Sequence, residues 1–437
     1  MALRNQLPIL QDKIHSNQHK IWKPPCSIPW KPIQPFVKGY ANPQKEECSI
    51  QPTNKISFPE TLISCKKIEL LLNPSQETIL KRWSFAYTKM YNQALYCLKQ
   101  MSQEKRLVLN YQTLRTHYLK ASRNAIIQDS FSKIFGHHTQ VKTHMMDGAI
   151  QLVCANYKSA ISNYKAGNIK YFRIRYWKKK TLYRLDIEPN YITSKGICSK
   201  ILGSMNAVYD NKTFDWTTID KTCQLQYDTQ TNRFYLLVPK EIQTEKHTER
   251  KPWIALDPGI RTFLTGISEN EVLKIGDNLS PKFKKHLNRL DKTVRMPLSP
   301  ARRKQLQIKL RDKIKHMAED LHWKASNFLV KNYDTVLIGD MSAKGIVRGK
   351  GKGLDTNVKR TLMALSLFKF HQRLAFKAQQ HHCHLVMVNE AYTTKVCSCC
   401  GTVNQVGGAR VFTCTNCHHE CDRDVDGARC IAIKGLF

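Results

Sequence analysis

Apolar and polar positions change texture several times along the chain, and each change predicts an element. Residues 1–60 show no period. Nine of the seventeen prolines lie there, with Trp22, Trp30 and Phe36 scattered among polar residues, so this stretch reads as an extended or disordered arm. Lys66–Leu72 alternates as a strand, and Asn73-Pro74 then offers an N-cap followed by proline at the first helical position. Ile79, Trp83, Tyr87, Met90, Ala94 and Leu98 recur at helical spacing, and further helical patterns cover about 110–121 and 143–165. Residues 170–250 read as β, with a hairpin of Cys223–Tyr227 and Phe234–Val238 across a polar turn. Beyond Trp253 come two short strands, Trp253–Leu256 and Phe263–Ile267, and a polar basic segment. A long helix over Pro300–Lys331 then carries Leu306, Leu310, Ile314, Met317 and Leu321 on one face. An apolar strand, Thr335–Ile338, a glycine- and lysine-rich loop, a helix over 357–380 and a strand, His384–Asn389, follow. No internal repeat is visible.

Length and charge narrow what this pattern serves. The 437 residues suit two to four domains, and 41% hydrophobic content supplies real cores. Seventy Lys+Arg against 34 Asp+Glu give a formal charge of +36. Such an excess suits a polyanionic partner, because cation–phosphate contacts release counterions. No apolar run reaches the ~18–20 residues of a membrane span, and Met1–Leu10 lacks a signal-peptide core, so membrane insertion and secretion are not expected. Tyr171-Phe-Arg-Ile-Arg-Tyr-Trp-Lys-Lys-Lys180 interleaves aromatics with cations. Arg173, Arg175, Tyr176, Trp177, Lys178, Lys179 and Lys180 are therefore candidates for phosphate contact and base stacking.

Seven of the fifteen cysteines fall in the last 41 residues, which fits a reducing compartment and one metal site. Cys397-x-x-Cys400 and Cys414-x-x-Cys417 present four thiolates to one structural Zn²⁺ in a zinc ribbon. Cys399 and Cys421 are near enough to leave individual ligands open. Carboxylates stand out against the cations at strand ends: Asp257 in Leu-Asp-Pro-Gly, Glu390 after the strand His384–Asn389, and Asp422, Asp424 and Asp426 where a helix begins. Phosphodiester hydrolysis by two Mg²⁺ ions needs three or four such oxygens.

Asp257-Pro-Gly-Ile-Arg-Thr-Phe-Leu-Thr265, the zinc knuckles and Asp422-Arg-Asp-Val-Asp-Gly-Ala-Arg429 together resemble the RuvC-like nuclease of TnpB proteins, relatives of type V CRISPR effectors. The resemblance covers about residues 62–437. It implies a multidomain α+β protein: a proline-rich arm (1–61), a wedge-like β-barrel (62–72 and 166–250) and a helical recognition lobe (73–165). The rest would be an RNase H-like RuvC nuclease (251–396 and 418–437) with a zinc-ribbon insertion that binds target nucleic acid (397–417). Asp257 falls on the family's first catalytic aspartate and Asp424 on the third, while Asp426 stands at the family's usual asparagine. The family ends the strand Thr335–Ile338 with a glutamate, but this chain has Gly339 and then Asp340. Glu390 resembles the relocated glutamate of the eukaryotic Fanzor branch, which makes Asp257, Glu390 and Asp424 the expected Mg²⁺ ligands, with Asp340 as rival for the second.

The resemblance further implies a guide RNA, a double-stranded DNA target recognised beside a short adjacent motif, one protein per RNA, and a nuclear location. The loop Gly345–Gly353, with Lys350 and Lys352, stands where the family has a mobile lid. Two alternatives stay open: an RNA-guided DNA-binding protein that has lost cleavage, suggested by Gly339, and an unguided transposon-associated zinc-ribbon protein.

Overall fold

The computed structural model describes residues 58–104, 106–129, 141–178, 180–341, 346–347, 355–407 and 409–436. The arm up to residue 57, Lys179, Lys350, Lys352 and most of the glycine-rich loop lie outside them. The chain forms two compact units, Leu62–Ile242 and Gln243–Phe437, the latter with the N-terminal segment. Among the described residues no helix is long and apolar enough to cross a membrane.

In the first unit, strand β1 (Thr61–Leu71) alternates exposed and covered positions and leads into helix α1 (Pro74–Gln103). Asn73 accepts the Gln76 N–H at 2.9 Å, and the Gln76 side chain accepts the Asn73 N–H at 3.0 Å. This reciprocal cap is worth about 1 kcal/mol. The buried stripe of α1 contains Ile79, Trp83, Tyr87, Met90, Ala94 and Leu98, the positions whose spacing predicts the helix. The helix expected over 110–121 is instead broken: short helical turns end at Tyr118, and α2 (Lys120–Asp129) starts after Leu119, whose ψ is 0°. Helix α3 (Thr143–Lys165) matches its pattern.

Strands β2 (Leu182–Ile187), β3 (Asn206–Tyr209), β4 (Lys212–Thr213), β5 (Cys223–Asp228) and β6 (Arg233–Gln243) join β1 in a six-stranded sheet of order β2-β5-β6-β1-β3-β4. The β5–β6 turn is shortened to four residues, since Asp228 pairs with Arg233, and Asn232 takes φ +54°.

The second unit is a three-layer arrangement. Strands β7 (Lys251–Pro258), β8 (Leu264–Ile267), β9 (Val272–Ile275), β10 (Tyr333–Gly339) and β11 (His384–Val388) form a sheet of order β9-β8-β7-β10-β11. β7, β10 and β11 run parallel, with β8 and β9 antiparallel on one side. The central pair is apolar because both faces are covered. Helices α4 (Leu279–Arg295), α5 (Pro300–Asn332), α6 (Thr356–Leu365) and α7 (Leu367–Gln380) supply one layer, through Phe283, Leu287, Ile314, Leu329, Leu362 and Phe370. The single helix expected over 357–380 divides at Ser366, which takes φ +48°. The other face carries α8 (Arg423–Leu436), whose Ala428, Ile431 and Ala432 pack on Ala255, Ile267, Leu337 and Val388. β9 escapes the hydrophobic pattern because it is a four-residue edge strand with only half-covered apolar positions.

Candidate active site and metal centres

Parallel pairing brings three strand ends to one edge of the sheet. Leu256 pairs with Ile338 and Gly339 with Val388, so Asp257 and Glu390 both leave the sheet at the carboxyl ends of neighbouring or next-neighbouring strands. Pro258 and Gly259 turn the chain there, and the Gly259 N–H closes on the Phe263 carbonyl at 3.0 Å. Helix α8 adds Asp424 from its first turn.

Two glycines make the room. A Cβ on Gly427 would sit 2.8 Å from Asp257 Oδ2, so only glycine lets α8 approach the first aspartate this closely. A Cβ on Gly339 would lie 1.9 Å from Glu390 Oε1 and 2.5 Å from its carboxyl carbon. The Glu390 carboxylate thus fills the space that a side chain at position 339 would take.

The electrostatics follow from this crowding. Burial, then the Glu390 and Asp424 charges, push the Asp257 carboxyl well above its ordinary range, against the opposing pull of Arg423. Burial, then the Asp340 charge, raise Glu390 to about 7. Glu390 Oε1 is buried without a hydrogen-bond partner. Asp340 plays a different part: its Oδ1 accepts the Glu390 backbone N–H at 3.1 Å, and its own N–H donates to the Val388 carbonyl at 2.9 Å. The three aspartates at 422, 424 and 426 also separate. Asp422 accepts the Asp424 N–H at 3.0 Å, whereas fully buried Asp426 accepts the Ser398 N–H at 3.1 Å and so ties α8 to the first zinc knuckle.

The cysteine site is compact. Cys397, Cys400, Cys414 and Cys417 bring their sulfurs within 4.8 Å of one another. Cys397 Sγ lies 3.7 Å from Cys417 Sγ, and Cys400 Sγ 3.6 Å from Cys414 Sγ. A tetrahedral zinc with bonds of about 2.3 Å asks for edges of about 3.8 Å, so the set can bind zinc. The Cys399 and Asn416 N–H groups donate to Cys397 and Cys414 Sγ at 3.4 Å each. Cys399 is exposed and outside the set, and Cys421 lies instead with His419 and Asp426. Strands β12 (Val411–Thr413) and β13 (Glu420–Asp422) close the small hairpin of this ribbon.

Among the described residues two other groups of side chains could hold a metal ion: Glu245, His247 and His381, and His419, Cys421 and Asp426. His247 Nε2 lies 2.9 Å from His381 Nδ1, the two rings stack with centroids 5.0 Å apart, and His381 Nε2 is buried without a hydrogen-bond partner. Beside His419, Arg429 Nη1 at 3.3 Å supplies the positive charge.

Residues 368–431 match the family model "Cas12f1-like, TNB domain". A TnpB-like protein of Acanthamoeba polyphaga mimivirus is 30% identical over 401 residues, which cover 87% of this chain and 75% of that protein. The chain belongs to the TnpB-like proteins. A second TnpB-like protein of the same virus is also 30% identical, over 87% of this chain and 74% of its own length. The CRISPR-associated endodeoxyribonuclease Cas12f1 of Sulfoacidibacillus thermotolerans is 25% identical over 130 residues, 29% of each chain. Among solved structures, the cryo-EM structure of a Cas12f1–sgRNA–target DNA complex superposes with a TM-score of 0.41 at 12% identity, over 86% of this chain and 99% of that one.

In this TnpB-like chain the segment expected to stack bases divides by side. Arg173, Arg175, Tyr176 and Lys178 are exposed, whereas Phe172, Ile174 and Trp177 pack on the first unit's core. Trp177 stacks on Tyr91 at 3.7 Å, and its backbone makes two hydrogen bonds to Asn92, at 2.7 and 2.8 Å. Lys180 lies over the Trp177 ring, its ammonium lowered to about 8 by burial and then by Arg184. Trp177 and Lys180 therefore hold the segment down instead of standing free for nucleic acid.

The polar basic segment after Ile267 forms part of a larger basic surface. From Leu279 to Asn332, helices α4 and α5 carry fifteen Lys/Arg and four Asp/Glu. Three of those four acids are paired: Asp291 with Arg360, Glu319 with Arg373, and Asp320 with Lys324. Lys282, Lys284, Lys285, Arg289, Lys292, Arg295, Arg302, Lys304, Lys309, Arg311, Lys313 and Lys315 are all exposed. The signal was a local charge count over a helical pattern, which hydrophobic periodicity alone does not register.

Proposed function

We propose that this TnpB-like protein is an RNA-guided DNA endonuclease of the Fanzor-like kind, cutting a DNA target beside a short adjacent motif. The observation that carries the proposal is the gathering of Asp257, Glu390 and Asp424 at one sheet edge, with the Glu390 carboxylate in the space vacated at Gly339. The 3-2-1-4-5 strand order supports an RNase H-like reading of the second unit. It also weighs against a dead nuclease, since the missing glutamate is replaced from the neighbouring strand.

The residues fit a divalent metal site. Three carboxylates share a half-covered corner, and one oxygen of Glu390 is buried without a partner. Such a group is costly to leave charged unless a cation joins it. Mg²⁺ ions bound there would neutralise the scissile phosphate and lower the pKa of an attacking water.

The chain's own residues do the rest. Asp257 is fixed by the central strand. Asp340 holds the Glu390 backbone, and α8 carries Asp424 in its first turn while Gly427 leaves room for Asp257. Exposed cations of α4–α5 and of 173–178 would hold phosphate backbone without reading sequence, which guide pairing would supply. Zinc at the four cysteines would staple the ribbon that Ser398 ties to Asp426. A monomer on one RNA and a nuclear location complete the proposal.

The test is to express the gene with its native flanking DNA, purify through high salt, and sequence the RNA retained. A discrete RNA mapping beside the gene, with Mg²⁺-dependent cleavage of matched DNA lost in Glu390→Ala, is the expected result. Heterogeneous RNA with cleavage by RNA-free protein would favour the unguided alternative. Specific DNA binding without cleavage in the wild type would favour the binding-only one.

A further inference from the structure

Asp257 and Asp424 come from distant parts of the sequence and repel each other, so their separation has to be held by other groups. The sheet register supplies such a hold. Asp257 on β7 pairs with Thr265 on β8, and Thr265 pairs with Lys274 on β9. Residues directly opposed across antiparallel strands project to the same face. The three residues therefore form one row running from the first aspartate to the sheet's edge. Thr265 in the middle is buried, which keeps the row rigid.

At the edge the row meets the other aspartate's helix. Lys274 Nζ lies 2.8 Å from Asp422 Oδ2, and Asp422 Oδ1 accepts the Asp424 N–H at 3.0 Å. Asp422 is also the last residue of β13, paired there with Val411. One carboxylate thus joins the edge of the nuclease sheet, the zinc-ribbon hairpin and the first turn of the helix that bears Asp424.

We propose that Lys274 and Asp422 are positioning residues that set the Asp257–Asp424 separation and, through it, affinity for the divalent metal; this rests on the reading of those carboxylates as metal ligands. An ordinary exposed ion pair contributes little to stability. This one differs because its carboxylate has a second bond, to the backbone of a ligand-bearing residue. Outer groups that orient metal ligands change metal affinity by about 10–100-fold when removed. Without its ammonium partner, Asp422 is free to turn and the first turn of α8 loses its link to the β7 row.

The experiment uses the full chain purified with its RNA and stripped of divalent metal. Mn²⁺ binding is read by calorimetry, beside the Mg²⁺ dependence of cleavage and the melting temperature. For Lys274→Met the expected result is Mn²⁺ binding weakened about tenfold, half-saturating Mg²⁺ raised in parallel, and a metal-free melting temperature within a degree or two of wild type. Lys274→Arg, which keeps the charge and reach, should restore both metal readouts. Unchanged metal affinity in Lys274→Met overturns the inference, as does a lowered melting temperature with no change in affinity. Asp257→Asn serves as the reference. If Asp257→Asn binds Mn²⁺ like wild type, the metal-site reading itself fails. If it loses Mn²⁺ while Lys274→Met does not, only the positioning inference falls.

Discussion

The two candidate metal centres of this chain are built in opposite ways. The cysteine set draws four ligands from residues 397–417, each thiol pair held by a tight knuckle whose N–H groups point at sulfur. The carboxylate set draws on residues 257–424, from two strand ends and a helix; burial and then the charges of Glu390 and Asp424 raise Asp257, while burial and Asp340 raise Glu390. The first needs a local chain and a metal to form. The second needs a finished sheet, which holds like charges together whether or not a cation is present. Removing a ligand should therefore damage structure in the first case and function in the second.

The largest expected effect is at the ribbon. Structural zinc contributes on the order of 10 kcal/mol to the fold of a small module. Cys414→Ser should abolish stoichiometric zinc in native mass spectrometry and expose the 397–417 segment to protease. Asp257→Asn should leave both unchanged. A Cys414→Ser protein that keeps one zinc and resists protease would show that the sulfur geometry is not a zinc site.

A smaller effect, confined to function, is expected where the carboxylates crowd. Gly339→Ala places a methyl group where Glu390 Oε1 now lies, so the glutamate has to swing away. Displacement of a catalytic group by about 1 Å costs on the order of 10²-fold in rate. Cleavage should fall by that order with RNA retention and zinc content intact. The double variant Gly339→Glu/Glu390→Ala, which returns the carboxylate to the strand end, should recover part of the loss. Wild-type cleavage by Gly339→Ala would mean that Glu390 does not act from that space.

The same contrast explains what the sequence could and could not tell. The cysteine cluster is legible because its spacing within one short stretch is itself the geometry. Asp257 and Asp424 are candidates only through the motifs around them, since nothing in their own neighbourhood says that α8 folds back onto β7. Glu390 is a candidate through the gap at position 339 and the Fanzor resemblance, and its carboxylate lies where a Cβ at position 339 would stand. Trp177 was misjudged because an aromatic among cations looks the same whether it faces solvent or Tyr91. The break at Ser366 and the edge strand β9 were missed for a related reason. A left-handed residue and a four-residue ladder leave little trace in periodicity, although β9 supplies Lys274.

The smallest effect tests whether the carboxylates are held together at a cost. Glu390 is raised from 4.5 to about 7 by burial and by Asp340, so its folded-state pKa lies above its unfolded one. Between those values the folded protein keeps a proton that the unfolded chain has released. Metal-free stability should therefore fall as pH rises through this window. Glu390→Gln removes the titration. At pH 8 without divalent metal, the variant should be more stable than wild type by about 1–2 kcal/mol, allowing for the partial exposure of the side chain. The difference should vanish near pH 4.5, where wild-type Glu390 is also neutral. Saturating Mg²⁺ should reverse the order at pH 8, because only the wild type gains the full binding energy. The measurement is the metal-sensitive thermal transition of each protein at the two pH values. A variant less stable than wild type at pH 8 without metal would mean that Glu390 has a stabilising partner there, and that the carboxylate corner is not strained by its own charge.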